Sequence, residues 1–275
     1  MEKIELRGVK KYFSSKPVLR DVNLTVRKGE TLAVIGRSGC GKSVMLKHIV
    51  GLLKPDDGKV FVDGEDITDL PEQQLYRIRK KFGFLFQGAA LLDSLTVGEN
   101  VGLGLAELSE YTPEKIKQIV TEKLAMVGME GIENYMPADL SGGMKKRVGL
   151  ARAIAMEPEI ILYDEPTTGL DPIMADTINE LINYLSTELK ITSIVVTHDI
   201  TSVRKVSDRI SMLHHGEIIF TGTVEELDTT GNEVVIQFIE GRSEGPIKPS
   251  VKKYISDDEQ RIRFNSKKRV EGIFQ

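Results

Sequence analysis

The feature that most constrains the fold of this chain is a glycine-rich loop between an apolar strand and a helix. Thr31–Ile35 is typical of a buried strand, and Val44–Val50 has the composition of the helix that follows it. Between them lies Gly36–Ser43, with the sequence GRSGCGKS. This order of strand, loop and helix predicts an α/β fold of the phosphate-loop type.

The residue types in this loop suit the phosphates of a nucleotide. The glycines let the backbone curl around the α- and β-phosphates. Lys42 places a positive charge near the β- and γ-phosphates, and the hydroxyl of Ser43 can bind Mg²⁺. The alternative, an incidental glycine-rich turn, leaves the flanking strand and helix unexplained. We expect the whole loop to bind the nucleotide: Gly36, Arg37, Ser38, Gly39, Cys40, Gly41, Lys42 and Ser43.

Two further apolar strands end in polar side chains. Ile160–Tyr163 continues into Asp164 and Glu165, and Ile194–Val196 is soon followed by His198. Asp164 would hold Mg²⁺, and Glu165 would orient and deprotonate the water that attacks the γ-phosphate. An acidic strand end or a hydrogen-bonded structural histidine is the plain alternative. The position of each residue at a strand end favours the functional interpretation.

A second anion site is indicated by Leu140–Ala153, with the sequence LSGGMKKRVGLARA. A Ser-Gly-Gly turn that opens a basic helix turns free amides and the positive end of the helix dipole toward an anion. The chain therefore contains two candidate phosphate sites, and their presence together requires an explanation.

These motifs, in this order, resemble the ATP-binding-cassette ATPases over residues 1 to about 225. The resemblance implies ATP and Mg²⁺ as ligands, and hydrolysis of ATP as the reaction. Met144 departs from the glutamine usual in the family, but the neighbouring amides do the phosphate work. The matches are Gly36–Ser43 with Walker A, Gln87 with the Q-loop, Leu140–Met144 with the signature, Asp164 and Glu165 with Walker B, Asp171 with the D-loop, and His198 with the switch histidine.

The same resemblance assigns further roles to single residues. Gln87 joins Glu165 and His198 as a catalytic residue, and it joins Ser43 and Asp164 at the metal. Phe13 stacks on the adenine, with Tyr12 as the alternative. The remaining nucleotide contacts are Ser141, Gly142, Gly143 and Asp171.

The expected fold is an α/β cassette with a RecA-like core, an N-terminal antiparallel β subdomain and an α-helical subdomain. The ATPase domain would span 1–241, with the helical subdomain inserted at about 88–153, and a tail would follow at 242–275. Lys3–Val9 and Val18–Val26 are typical of strands, and Pro71–Lys81 of a charged helix. Another helix is expected to begin at Thr112-Pro113 and to end at Gly128.

The family pattern also accounts for the two phosphate sites. A Walker A loop and a signature in one subunit do not meet, so two subunits pack head to tail, each loop closing against the partner's signature over one ATP. We therefore expect a homodimer whose closure is driven by ATP and reversed by hydrolysis.

The cargo is indicated by weaker signals. Gly88–Val101 is unusually apolar and is expected to line a groove for the coupling helix of a permease, although the same residues could only build the subdomain core. Three segments, at 85–91, at 140–144 and at 237–241 followed by 245–247, resemble the ATPases of Mla-type, Mce-associated lipid transporters. That resemblance implies an integral membrane permease of the Mla type, an Mce-domain protein and a small cytosolic regulatory subunit as partners. An importer or exporter of another substrate is the alternative, because the permease selects the cargo.

The resemblance implies a peripheral ATPase at the cytoplasmic face of the inner membrane, and the composition does not conflict with it. The 275 residues include no apolar run near the ~18 residues of a membrane span, and the start lacks a signal-peptide profile. A net charge of −4 argues against a nucleic-acid partner. Rival classes fit less well, since a translation or repair factor would need two cassettes or a long coiled-coil insertion, and a non-catalytic regulator would lack Glu165 or His198.

Cys40 is the only cysteine, which excludes an intramolecular disulfide, and we interpret it as a small filler rather than a redox sensor.

The last part of the chain is basic. Residues 248–275 carry eight Lys or Arg against four acids, with scattered apolar residues. We expect this tail either to be solvated or to reach the partner cassette or an associated subunit.

Overall fold

The computed structural model describes residues 1–108 and 110–248. The chain divides into two compact units, Met1–Thr230 and a second that begins at Gly231. The first unit contains a ten-stranded mixed sheet in the order β5-β4-β1-β2-β10-β9-β3-β8-β7-β6. The strands are β1 Glu2–Phe13, β2 Lys16–Arg27, β3 Thr31–Ile35, β4 Asp57–Val62, β5 Glu65–Asp66, β6 Phe82–Leu85, β7 Ile160–Asp164, β8 Thr192–Thr197, β9 Arg209–His214 and β10 Glu217–Gly222.

Helices cover this sheet, and the alternation of strands and helices confirms the predicted α/β cassette. None of the helices in the described residues has the length and apolar character needed to cross a membrane. The helices are α1 Lys42–Ile49, α2 Glu72–Arg79, α3 Val97–Leu108, α4 Pro113–Met126, α5 Gly142–Ile154, α6 Pro172–Thr187, α7 Ile200–Val206 and α8 Val224–Asp228 in the first unit, and α9 Glu233–Glu240 in the second, with a short 3-10 helix at Pro137–Asp139.

One end of the sheet is the antiparallel part that the sequence predicts. β1 pairs with β2 on one side and with β4 on the other, and both pairings are antiparallel. The strands are longer than expected, since β1 and β2 each run for twelve residues. A single parallel pair, Glu217 with Asp21, joins this part to the rest of the sheet.

The central strands are parallel, and this places the site. β9, β3, β8, β7 and β6 are parallel neighbours, and every residue of β3, β7 and β8 is buried. Alternate residues of β7 enter two apolar clusters: Ile161 and Tyr163 face one, and Ile160 and Leu162 face the other. Parallel strands with both faces covered end at one edge, so residues that follow them converge there.

Three helices form the helical part of the first unit. Thr112 caps α4, because its hydroxyl accepts a hydrogen bond from the amide of Lys115 at 3.3 Å, and the helix gives way to Gly128 with φ of 66°. Ser141 caps α5 in the same way, through the amide of Met144 at 3.3 Å. α5 packs closely on β6, since a Cβ on Gly149 would lie 3.0 Å from Leu85.

The second unit contains α9, which is capped by Asn232 and ends at Gly241 in a left-handed conformation. The amide group of Gln237 donates to the carbonyls of Arg242 and Ile247 at 3.2 and 2.9 Å and accepts from the amide of Ile247 at 2.6 Å. The proposed boundary between 241 and 242 stays a prediction. The hypotheses for the basic tail concern residues that, after Lys248, lie outside the described part of the chain.

Candidate active site

The glycine loop connects β3 to α1, as the sequence predicts. Gly36, Gly39 and Gly41 have φ values of 150°, 78° and 112°, which residues with a Cβ rarely adopt. A Cβ on Gly36 would lie 2.3 Å from the carbonyl oxygen of Leu213 in β9. The loop conformation therefore depends on glycine both for its dihedral angles and for its packing against the sheet.

A cavity of about 420 Å³ opens beside the loop. Its volume is within the range of small-ligand sites. Phe13 lines the cavity and is 46% exposed, whereas Tyr12, the alternative aromatic, is not among the lining residues and donates its amide to Asp56. The lining residues are Phe13, Val18, Ser38, Gly39, Gly41, Lys42, Ser43, Val44, Gln87, Glu165 and His198.

The side chain of Lys42 is buried against the loop itself. Its ammonium donates to the carbonyl oxygens of Gly36 at 2.7 Å and Arg37 at 3.3 Å. It also lies 3.5 Å from Oε1 of Glu165. A charge that is only 5% exposed requires such partners, so the ammonium is fixed at the floor of the cavity.

Ser43 and Asp164 meet at the end of β7. The hydroxyl of Ser43 donates to Oδ1 of Asp164 at 3.0 Å. Burial raises the pKa of Asp164, and the neighbouring charge of Glu165 acts in the same direction, against the hydrogen bond from Ser43. A bound cation would relieve this cost, and hydroxyl, carboxylate and amide oxygens from Ser43, Asp164 and Gln87 are the donors that Mg²⁺ prefers.

The protein's own ligands are few. In the described part of the chain there is no group of three or more His, Cys, Asp or Glu side chains that could hold a metal ion. A magnesium ion at Ser43 and Asp164 would thus need oxygens from a bound phosphate, as is usual for this ion.

Glu165 is held from several sides. It is 8% exposed, its φ is 51°, and its amide donates to the carbonyl of Val196 at 2.8 Å. Oε2 accepts hydrogen bonds from Nδ1 of His198 at 2.8 Å and from the hydroxyl of Thr168 at 2.9 Å. Burial acts to raise the pKa of Glu165, but these hydrogen bonds and the charge of Lys42 outweigh it, so the pKa lies below its usual value. The carboxylate is therefore ionised and able to accept a proton.

The signature and D-loop residues lie elsewhere. Ser141 and Gly142 are exposed at the start of α5, and Gly143 is buried, where a Cβ would lie 2.7 Å from Met174. Asp171 caps α6 by accepting from the amides of Ile173 and Met174. None of Ser141, Gly142, Gly143 and Asp171 is among the described residues that line the nucleotide cavity.

Four residues of the loop, Arg37, Ser38, Gly39 and Cys40, line a neighbouring basic cavity. Lys16, Arg20, His214 and His215 line it as well. Cys40 is half-buried and packs against an apolar cluster, and burial raises the pKa of its thiol. This environment suits the interpretation of Cys40 as a filler, because a thiol with a raised pKa is poorly reactive.

Sequence reasoning missed three residues at this site. Thr168 holds the carboxylate of Glu165, and its only signal was its place just after Walker B. Lys146 and Arg152, both in α5, donate to backbone carbonyls at and just after Gln87. The sequence shows a run of basic residues after the signature, but it does not show their partners, because these depend on tertiary packing.

Comparisons with known proteins decide the family. The sequence profile of the ABC transporter family matches residues 19–168. The chain belongs to the ABC transporter family. An ABC cassette of this kind also accounts for the strand order, the glycine loop and the carboxylates at the end of β7. The predictions of an ATPase cassette and of an ATP-hydrolysing transporter subunit are thereby confirmed.

Individual relatives agree. The chain is 40% identical over 245 residues to the intermembrane phospholipid transport system ATP-binding protein MlaF of Haemophilus influenzae, covering 89% of this chain and 93% of that protein. It is 42% identical over 250 residues to the probable ribonucleotide transport ATP-binding protein mkl of Mycobacterium tuberculosis, covering 91% of this chain and 70% of that protein.

A solved structure of the ATP-binding cassette MJ0796, a dimer in a post-hydrolysis state with ADP and Pi, is also similar. The TM-score is 0.75 and the identity 38%, covering 80% of this chain and 98% of that chain. A cassette with this degree of likeness therefore binds the products of ATP hydrolysis.

Proposed function

We propose that this ABC ATPase hydrolyses Mg-ATP as a head-to-tail homodimer and that it powers transport of phospholipid or another lipid through a separate permease of the Mla type. The proposal rests on one geometric observation: Lys42, Glu165 and His198, which come after three parallel strands, line one cavity, and Asp164 at the end of β7 accepts a hydrogen bond from Ser43 of the same lining. Such convergence at the carboxyl edge of a sheet is what phosphoryl transfer requires.

The residues divide the work of hydrolysis. The loop amides and Lys42 hold the phosphates, and the ring of Phe13 lies where an adenine could stack. The ionised carboxylate of Glu165 orients the attacking water and accepts its proton, while His198 and Thr168 fix the direction of that carboxylate. When bound at Ser43, Asp164 and Gln87, Mg²⁺ would neutralise charge on the phosphate oxygens.

The dimer follows from the position of the signature. Ser141 and Gly142 are exposed and lie outside the nucleotide cavity of their own chain. Free amides and a positive helix end favour a phosphate. In the proposed head-to-tail dimer the signature of one subunit closes over ATP on the loop of the other. The similar cassette MJ0796 is a dimer, which supports a dimeric state but not a particular arrangement of the subunits.

The permease contact is proposed for the segment Gly88–Val101. Asn100 is buried and binds this segment internally, accepting from the amide of Leu92 at 2.7 Å and donating to the carbonyl of Thr96 at 2.9 Å. Ala89, Val97 and Val101 belong to the core, whereas Leu92 is 46% exposed. The segment is therefore a loop that leads into α3, is tied together by Asn100 and presents the apolar side chain of Leu92 to a partner.

Lipid as the cargo is supported by the name of one relative and opposed by the name of another. The Haemophilus relative is a phospholipid transport protein by name, and the Mycobacterium relative a probable ribonucleotide transport protein. We favour lipid because the three segments of narrower resemblance agree with it. The partners would be a Mla-type permease, an Mce-domain protein and a small cytosolic regulatory subunit, with the ATPase peripheral at the cytoplasmic face of the inner membrane. An importer or exporter of another substrate is the alternative.

The experiment is co-purification of the membrane partner, followed by reconstitution with Leu92→Glu. The charged side chain should reduce lipid transport while leaving the ATPase rate of the isolated subunit unchanged. Leu52→Glu is the matched control, since Leu52 is 51% exposed and lies outside this segment. Recovery of a sugar or metal-ion permease as the sole partner would contradict the lipid proposal and leave the ATPase assignment intact.

A further inference from the structure

Lys146 is a buried lysine that the hydrolysis scheme does not use. It lies in α5, the helix that begins at the signature, and it is 5% exposed. Its ammonium donates to the carbonyl oxygen of Gln87 and, at 3.0 Å, to the carbonyl oxygen of Glu165. One charged group thus joins the signature helix to the loop after β6 and to the end of β7.

A second cation of α5 acts on the same loop. Arg152 donates to the carbonyl oxygens of Ala89 at 2.5 Å and Ala90 at 2.7 Å. These two alanines have φ values of 62° and 49°, in the left-handed region that residues other than glycine seldom adopt. The loop from Gln87 to Ala90 is therefore held from α5 in a conformation that costs energy by itself.

The chemistry of Lys146 is unusual for a purely structural contact. Burial lowers the pKa of its ammonium, while the carboxylates of Asp164 and Glu165 act to raise it. No ion pair links Lys146 to a carboxylate among the described residues, and its acceptors are backbone carbonyls. An apolar side chain of similar length would fill this space without the cost of burying a charge.

Both acceptors belong to residues at the proposed reaction centre. Gln87 and Glu165 both line the nucleotide cavity, and Glu165 is the residue proposed above to orient the water. Glu165 also has a left-handed backbone, so the placement of its peptide group decides where its carboxylate points. A shift of α5 would be passed to both residues through a single ammonium.

We propose that Lys146 is a positioning residue that couples the signature helix to Gln87 and Glu165. When α5 moves on closure of the dimer, the bonds from Lys146 carry the peptide groups of Gln87 and Glu165 with it. Hydrolysis then becomes sensitive to whether the signature is engaged. This inference rests on the roles proposed above for Gln87 and Glu165.

The test is the steady-state ATPase of Lys146→Met in the full chain. Methionine keeps most of the stem and removes the ammonium, so kcat should fall about 10- to 100-fold, the loss expected for hydrogen bonds from a charged donor. KM for ATP and the Kd for ATP should stay within about twofold, because Lys146 does not line the nucleotide cavity. Lys146→Arg, which can reach two carbonyls, should recover much of the rate.

Lys145→Met is the matched control. Lys145 is the preceding residue of α5 and is half-exposed, and its side chain has no hydrogen bond or ion pair with another described residue. This variant should keep the wild-type kcat. Amide hydrogen exchange at Gly88–Ala90 should become faster in Lys146→Met and stay unchanged in Lys145→Met. A loss of global stability would instead make exchange faster over the whole chain, so the two causes can be told apart.

The results distinguish failure of the positioning role of Lys146 from failure of the proposed function of the site. A wild-type kcat in a folded Lys146→Met overturns the positioning role, and so does a parallel loss of ATP affinity and kcat. If Lys146→Met does not fold, Lys146→Gln decides, with unchanged kcat again overturning the role. Glu165→Gln is measured in parallel: if it hydrolyses ATP at the wild-type rate, the proposed function of the site fails, whatever Lys146 does.

Discussion

The phosphate loop and the signature are both glycine-rich turns that open a helix, yet their surroundings differ. Around the loop, residues that follow β6, β7 and β8 line a cavity, and the charge of Lys42 is buried and paired. At the signature, Ser141 and Gly142 are exposed, and neither of them lines the nucleotide cavity. The comparison shows that similar local motifs become different sites through what the sheet brings to them.

The topology explains the difference. The loop lies at the carboxyl edge of parallel strands, where several chain segments must end together. The signature begins α5 in the helical part, where α3, α4 and α5 pack against one another through their sides and leave Ser141 and Gly142 exposed. The loop site is nearly complete in a single chain, whereas in the proposed dimer the signature site would be completed by the second chain.

The largest expected effect tests the completeness of the loop site. Glu165→Gln keeps the shape of the side chain and removes the base, so the ATPase rate should fall by about 10² to 10⁴. ATP should still bind and hold the dimer closed, which light scattering with Mg-ATP would detect. A variant that turns over ATP normally would remove Glu165 from this role.

A mixing experiment tests whether the two sites meet between chains. Lys42→Ala removes a charge that would contact the phosphates, and ATP affinity should weaken by about 10- to 100-fold. Ser141→Arg should leave ATP binding by the monomer intact and block closure. In mixed dimers both changes can fall on one shared site and leave the other intact, so ATP trapping should reappear. Its complete absence from the mixture would refute the shared site.

Substitution of alanine for one glycine in each motif tests how strongly the backbone of that motif depends on glycine. Gly36→Ala forces a Cβ to within 2.3 Å of the Leu213 carbonyl at a φ of 150°, and it should lower the free energy of unfolding by about 1–3 kcal/mol. Gly142→Ala meets only Leu170 at 3.9 Å and should change stability by less than about 0.5 kcal/mol. Urea unfolding measures the free energy of unfolding of both variants. Equal losses in the two variants would contradict the expected difference between the loop and the signature.

The smallest expected effect is a pH dependence with opposite signs at two adjacent carboxyls. The pKa of Glu165 lies below its ordinary 4.5 in the folded protein, so its stabilising contribution is full above pH 4.5 and is lost as the pH falls through the lower folded value. The pKa of Asp164 lies above 3.8, so its ionisation destabilises the fold as the pH rises past 3.8.

Urea midpoints at several pH values test this pair. Glu165→Gln should lower the free energy of unfolding more at pH 6 than near pH 3. Asp164→Asn removes the cost of a buried charge, so relative to the wild type it should be more favourable to stability at pH 6 than near pH 3. Ser141→Ala, at the signature, has no titrating group and should show a difference that does not vary with pH. Parallel curves for all three variants would remove the electrostatic distinction between the two regions.

Much of the site could be predicted because its chemistry is local in sequence. The glycines, Lys42 and Ser43 are contiguous, and Asp164 and Glu165 follow an apolar run that can only be a buried strand. Phe13 was harder, since two adjacent aromatics alternate across a strand and only the strand's twist and pairing place one of them at the cavity.

The sequence alone determined the α/β class, the phosphate loop, the acidic strand end and the caps of α4 and α5, because each depends on residues within a few positions of one another. Only the tertiary structure decided that Thr168 holds Glu165, that Lys146 joins Gln87 to the end of β7, and that the signature stands apart from the loop. Lys146 and Gln87 are 59 positions apart, and a backbone carbonyl is the same acceptor in every residue. No pattern of residue types can mark such a contact, so it follows from packing alone.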